Sequence, residues 1–192
     1  MARNRFVLAA VFASVLAACS MSDVIISGSG AGGLPYDPSL VRYMVSQGDI
    51  PLEIHGNPTE LSDPEFTQLV ESRLRLEPAF PRATFRTNPT TKNRHALRVV
   101  LVFNADNARI DPNHVCRGEG VDKAGGVNAT LYVRGVFCDR EKVLSTNSGL
   151  ANTPDDFGGP RFGRLLDQLM YEMLPAPGSG DVDESCPNTS NC

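Results

Sequence analysis

Tryptophan is absent from this chain of 192 residues, aromatic residues make up only 7%, and histidine occurs three times. The apolar run Phe6–Ala18 has 13 residues, short of the roughly 20 that a membrane-spanning helix needs. Basic residues are fewer than acidic ones, 18 against 22, so the chain lacks the charge of proteins that bind nucleic acid through its phosphates. Hydrophobic residues still form 41% of the sequence, which excludes a wholly disordered chain and indicates a globular domain.

Motifs for catalysis and metal binding are also missing. No G-x-S-x-G nucleophile motif occurs, and His55, His95 and His114 do not form the pattern of a catalytic triad. His114 and Cys116 would supply two zinc ligands, but no second close pair of ligands accompanies them. The acidic stretch 181–184 lacks the ligand spacing of a calcium loop. We therefore predict no catalytic residue, no metal and no cofactor.

One glycine-rich segment has the pattern of a dinucleotide-binding loop. Gly28–Gly33 reads G-x-G-x-x-G after a short apolar run, and Glu53 follows 20 residues later, which resembles the fingerprint of flavin oxidoreductases. Pro35 and Pro38, however, fall where the helix of that fingerprint should continue without interruption. A Gly-rich tether over 19–36 is the prediction, and a nucleotide-dependent oxidoreductase is the remaining enzymatic hypothesis.

The first 19 residues have the parts of an export signal. Arg3 and Arg5 give a basic start, an apolar run follows, and the run closes with Leu-Ala-Ala-Cys at Cys19. Residues 1–19 thus resemble the lipobox signal of bacterial lipoproteins. Loss of 1–18 would leave 174 residues, a length typical of one domain, and would change the formal charge from −4 to −6.

The lipobox resemblance implies a location for the protein. It implies cleavage between Ala18 and Cys19 and three acyl chains, palmitate among them, on Cys19. Two such membrane signals already suffice for stable anchoring. Ser20, where an Asp would retain such a protein in the inner membrane, implies the outer membrane, with the domain in the periplasm. Outer-membrane lipid is therefore the first partner that we expect.

The remaining cysteines fit an oxidising compartment. Besides Cys19, the chain has Cys116, Cys138, Cys186 and Cys192, an even number that suggests two disulfides with three possible connectivities. We favour Cys116–Cys138, which would tie a long loop to a strand, and Cys186–Cys192, which would close a short loop in the polar tail.

The sequence between the tether and the tail predicts a single α+β domain over 37–175. Three helices are predicted where a cap-compatible residue precedes Pro and apolar residues recur at helical spacing; they span 38–47, 64–76 and 160–174. Five runs are predicted as strands: Ile50–His55, Ala83–Thr87, Leu97–Phe103, Thr130–Cys138 and Val143–Thr146. Leu97–Phe103 is almost continuously apolar, so we expect both of its faces to be covered. We predict that the last two strands form a hairpin.

Strands that follow one another without helices between them favour an antiparallel or mixed sheet of four to five strands, with about three helices mainly on one face. The residues 176–192 are mostly polar or small. We predict this tail to be disordered or held only by its disulfide.

One long loop, 104–129, is the candidate for a binding segment. Arg109 and Arg117 within it are possible ligand contacts, because Arg can clamp a carboxylate or phosphate with two hydrogen bonds. The layout is similar to that of small α+β lipoproteins that assist envelope assembly or transport. We therefore expect a non-enzymatic accessory protein that docks an envelope protein through a sheet edge or this loop, with binding of a small ligand or glycan as the alternative.

Overall fold

A computed structural model of the chain describes residues 24–30, 36–90, 96–105, 110–121, 126, 128–153 and 156–177; for 24–30 it describes the backbone alone. These ranges contain six strands and four helices. In chain order they are β1 (Val24–Gly30), α1 (Pro38–Gln47), β2 (Ile50–His55), α2 (Asp63–Arg73), β3 (Phe85–Arg86), β4 (Leu97–Phe103), α3 (Pro112–Cys116), β5 (Thr130–Asp139), β6 (Lys142–Asn152) and α4 (Pro160–Met173). No helix within these ranges could cross a membrane.

The strands form a mixed sheet, which confirms the predicted α+β class. Five strands lie in the order β1-β6-β5-β4-β2, and the two-residue strand β3 extends the sheet beyond β2. Strand β2 runs parallel to both of its neighbours, whereas the remaining pairs are antiparallel. The predicted hairpin is β5–β6, and its pairing continues beyond the predicted end as far as Thr130 opposite Asn152.

The helix starts follow from local sequence. Each of the four helices has Pro in its first turn, where the missing N–H leaves no hydrogen bond unmade. The carboxylate of Asp37 accepts a hydrogen bond from the backbone N–H of Ser39 at 2.8 Å and so caps α1. For α2 the cap is Ser62, one residue before the predicted one, because Glu65 accepts a hydrogen bond from the backbone N–H of Ser62 at 3.0 Å.

Both faces of the central strand β4 are buried, as its apolar run predicts. Val99, Leu101 and Phe103 belong to the larger core, which lies between the sheet and the helices α1, α2 and α4. The ring of Phe103 meets that of Phe66 in α2 edge to face, with centroids 5.1 Å apart. Val100 and Val102 belong to a second, smaller core on the opposite face. The prediction of helices mainly on one face is thus confirmed.

The predicted long loop supplies the cover for this second core. It contains the short helix α3, and Ile110, Val115, Cys116 and Val121 pack with the sheet residues on that face. Asn104 closes the base of the loop: its side chain donates to the carbonyl of Gly126 at 2.7 Å and accepts from the backbone N–H of Tyr132 at 2.9 Å. Much of the described part of the loop is therefore a packed layer of the domain.

The structure differs from the sequence prediction at both ends of the domain. Val24–Gly30, within the predicted tether, is the edge strand β1 and pairs with β6 over most of its length. Ala176, the first residue of the predicted tail, is buried. The sheet therefore begins 13 residues before the predicted domain start at residue 37. The signal residues Ala18 and Cys19 and the tail residues beyond 177 lie outside the described ranges.

Candidate functional site

The arginines predicted as ligand contacts are only in part described. Arg109 lies outside the described residues. Arg117 follows α3 directly, and its guanidinium donates two parallel hydrogen bonds to Glu119, from Nε to Oε1 and from Nη2 to Oε2, each 3.0 Å long. An anion would have to displace Glu119 to bind Arg117 in the same bidentate way. Arg117 remains a predicted ligand contact, but its guanidinium is already hydrogen-bonded to Glu119.

The two predicted disulfide partners, Cys116 in the loop and Cys138 on β5, are brought together. Cys116 and Cys138 lie at disulfide-bonding distance, with their Cα atoms 5.7 Å apart, and both are at most 1% exposed. The bond joins the end of α3 to β5 and so holds the loop against the sheet. A sulfur in a disulfide cannot act as a zinc ligand beside His114. No group of three potential metal ligands occurs among the residues that the structure describes. Cys186 and Cys192 lie outside those residues.

The glycine pattern does not have the geometry of a dinucleotide site. In that fingerprint the glycines form the turn between a strand and a helix, whereas Gly28 and Gly30 lie inside β1. Glu53, the candidate ribose ligand, lies on β2 and forms an ion pair with the buried Arg98, with Nε and Oε1 2.8 Å apart. His55, 4.0 Å from the other oxygen of Glu53, and Arg98 together hold the pKa of Glu53 below its ordinary value against the effect of burial.

An arginine-lined groove, which the sequence did not single out, opens between the ends of α2 and α4 and the segment 76–86. Its volume is about 880 Å³, within the range of ligand-binding clefts. Three arginines and a single carboxylate lie in its wall, together with apolar and uncharged polar side chains. The lining residues are Gln68, Glu71, Ser72, Arg75, Leu76, Pro78, Phe80, Pro81, Arg82, Ala83, Thr84, Arg86 and Tyr171.

Glu71 is the one acidic residue among those that line the groove, and both of its carboxylate oxygens already accept hydrogen bonds. Its Oε2 accepts from Arg86 at 2.9 Å, and its Oε1 accepts from the backbone N–H and the hydroxyl of Thr87 at 2.7 and 2.9 Å. Burial acts to raise the pKa of Glu71, but these hydrogen bonds and the charge of Arg86 outweigh it and lower the pKa. The bond to Thr87 also covers part of the β3 edge, which reduces the room for an added strand there.

The other two arginines of the groove, Arg75 and Arg82, are not paired with a carboxylate in the described part of the chain. Ion pairs in the described part of the chain involve Arg86, Arg98 and Arg117 but neither Arg75 nor Arg82. Arg75 donates one hydrogen bond, 2.6 Å long, to the carbonyl of Leu74. Its charge also acts on the half-buried Asp167, although burial dominates there and raises the pKa of that carboxyl. Both Arg75 and Arg82 are exposed.

The groove escapes sequence reasoning because its residues come from separate parts of the chain. Arg75 follows a helix, Arg82 lies in a proline-containing connection, and Arg86 lies on an edge strand. A helix-spacing pattern relates only residues on one helix, so it cannot bring these three together. The one available signal is a local excess of positive charge in a chain that is acidic overall, with four arginines at positions 73, 75, 82 and 86.

Comparison with known proteins gave no relative: no family model, no curated protein and no solved structure matches this chain.

Proposed function

We propose that the protein is a lipid-anchored accessory protein of the bacterial envelope that holds a carboxylate-rich segment of a protein partner in the arginine-lined groove. The carrying observation is the contrast of charge: three arginines and one carboxylate line a groove in a protein with 22 acidic and 18 basic residues. No catalytic step is part of this proposal.

The position of β1 sets how close an anchored domain would lie to the membrane. Val24, the first residue of the sheet, follows Cys19 by five residues, so at most about 18 Å of extended chain separates the two. If Cys19 is acylated, the domain lies close to the lipid surface and meets partners there. We expect Cys19→Ser to move the protein from the membrane fraction to the soluble fraction, and retention in the membrane fraction would contradict the anchor.

The chemistry of the groove selects a partner with several carboxylates. Arg forms two parallel hydrogen bonds with a carboxylate, but an exposed ion pair contributes only about 0.2–1 kcal/mol. One carboxylate would therefore bind too weakly to matter, and a segment with several would bind with moderate affinity. Exposed ion pairs are screened by salt, so the affinity should fall as the ionic strength rises.

A matched pair of variants tests the groove directly. The full-length protein in detergent is titrated into fluorescent hexaglutamate, and anisotropy reports binding at low salt and at about 100 mM salt. The double variant Arg75→Gln and Arg82→Gln should bind about tenfold more weakly, the loss expected for roughly 1.4 kcal/mol. Arg42→Gln, an exposed arginine of α1 away from the groove, should leave the affinity unchanged. An equal loss in both variants would contradict a specific groove.

Crosslinking in intact cells identifies the partner. A photoreactive residue at position 82 should capture one recurrent envelope protein, whereas the same residue at position 42 should not. Capture of unrelated neighbours alone would count against a protein partner. Oligogalacturonate serves as the second probe in vitro, because a glycan rich in carboxylates could also stack on Tyr171. Tighter binding of that glycan than of hexaglutamate would favour the glycan-binding alternative.

A further inference from the structure

We propose that the acidic segment 181–184 of the chain itself occupies the arginine-lined groove and competes there with external ligands. The segment reads Asp-Val-Asp-Glu and lies outside the described residues. This inference rests on the proposed capacity of the groove to bind carboxylates, but it does not depend on the lipid anchor.

The last described residues of the chain lie against Glu77, whose chain neighbours line the groove. After α4, the hydroxyl of Tyr36 donates to the carbonyl of Pro175 at 2.8 Å, and the backbone N–H of Ala176 donates to Oε2 of Glu77 at 2.8 Å. The two chain neighbours of Glu77, Leu76 and Pro78, both line the groove. The bond from Ala176 to Glu77 places the end of the described chain close to the segment 76–78 of the groove wall.

The acidic segment is within reach of the groove. Asp181 follows Ala176 by five residues, which is at most about 18 Å of extended chain. The segment carries three carboxylates, those of Asp181, Asp183 and Glu184, which match the charge of Arg75 and Arg82 in the groove wall. A partner joined by so short a linker has an effective concentration in the millimolar range. Contacts that hold a free peptide only weakly can therefore be mostly occupied when the ligand belongs to the same chain.

The acidic segment should weaken the binding of an external ligand to the groove about tenfold. If the effective concentration, about 1 mM, exceeds the intrinsic dissociation constant tenfold, roughly one groove in ten is open. An external ligand then binds about tenfold more weakly than it would to the free groove. Neutralising the segment should recover that factor.

Carbodiimide crosslinking detects the contact between the groove and the segment 181–184, because the reagent joins an amine to a neighbouring carboxylate. It does not act on arginine. The chain has only three lysines, Lys92, Lys123 and Lys142, and none of them lines the groove. Arg82→Lys introduces an amine there, and Arg42→Lys is the matched control. We expect Arg82→Lys to give a crosslink from position 82 to residues 181–184 within one chain, found by mass spectrometry, and the control to give none at position 42.

Three results would overturn this inference. They are the absence of that crosslink, an equal yield from position 42, or a product found only at the size of two chains. The triple change Asp181→Asn, Asp183→Asn and Glu184→Gln should abolish the crosslink and raise the affinity for hexaglutamate about tenfold. An unchanged affinity in a protein that binds hexaglutamate would also overturn the competition. A crosslink in a protein that never binds hexaglutamate would support the internal contact and contradict the proposed function. The inference and the proposed function can therefore fail separately.

Discussion

The guanidinium of Arg98 joins the central strand to the disulfide-bonded end of α3: its Nη2 donates to the carbonyl of Cys116 at 2.7 Å. Its Nη1 donates to the carbonyl of Arg140 at 2.8 Å, and its Nε lies 2.8 Å from a carboxylate oxygen of Glu53. Arg98 is only 8% exposed. One buried side chain thus links β2, β4, the β5–β6 turn and the loop layer.

Removal of this charge should destabilise the domain. Arg98→Gln removes the charged donor of the Cys116 and Arg140 carbonyls and of the Glu53 carboxylate, and the Gln amide can replace only part of these bonds. Hydrogen bonds to charged groups contribute about 1.5–3 kcal/mol each. We expect the free energy of unfolding to fall by about 2–4 kcal/mol, measured by urea denaturation. Arg42→Gln, which changes an exposed arginine, should stay within about 0.5 kcal/mol of the wild type. A similarly small effect of Arg98→Gln would show that the loop layer is held by its apolar contacts.

The disulfide should contribute a comparable amount. Cys116 and Cys138 close a loop with a sequence separation of 22 residues, for which the chain-entropy model gives about 3 kcal/mol. The double variant Cys116→Ala and Cys138→Ala should therefore unfold at lower urea concentration. Because both cysteines are buried, reductant should act slowly on the native protein and quickly once urea unfolds it. Rapid reduction without denaturant would contradict the packed loop layer.

Local sequence signals account for the elements that were predicted. Asp37 before Pro38 and Gly159 before Pro160 mark helix starts that the structure confirms, and the apolar run Leu97–Phe103 is the central strand with the predicted bounds. The same Asp-Pro pair occurs at Asp111, where it starts the short helix α3 inside the predicted loop. Element types follow from caps and periodicity, since both depend on neighbours in sequence.

What the sequence did not predict depends on distant contacts. Val24–Gly30 begins with three β-branched residues, which favour a strand, but its second half contains two glycines, which do not. Pairing with β6 over Ser148–Ala151 makes it part of the sheet. The arginine-lined groove likewise exists only after α2, α4 and the segment before β3 have packed. Arg75 and Arg82 are ordinary surface residues in sequence, and tertiary structure alone brings them to one wall.

The close approach of α4 to the sheet gives a test of the packing. A Cβ added at Gly135 in β5 would lie 3.0 Å from Sδ of Met173 and 3.3 Å from Cδ2 of Leu169. Gly135→Ala should therefore cost about 1–3 kcal/mol, because the well-packed α4 must shift. Gly163→Ala in α4 is the matched control, since nothing lies within 4 Å of its added Cβ. It should raise the free energy of unfolding by about 0.5–1 kcal/mol through helix propensity; a loss in both variants would contradict this account.

The lowered pKa of Glu71 predicts how the groove wall responds to acid. Its hydrogen bonds to Arg86 and Thr87 favour the carboxylate in the folded state, so its folded pKa lies below the ordinary 4.5. The stability from this group is therefore complete above pH 4.5 and is lost as the pH falls through the folded value. Glu71→Gln should cost about 1–2 kcal/mol at neutral pH, and its difference from the wild type should shrink below that value. Glu172→Gln, a change at an exposed residue of the same charge, should give a small difference at every pH. A difference for Glu71→Gln that stays constant down to low pH would show that its hydrogen bonds do not depend on the charge.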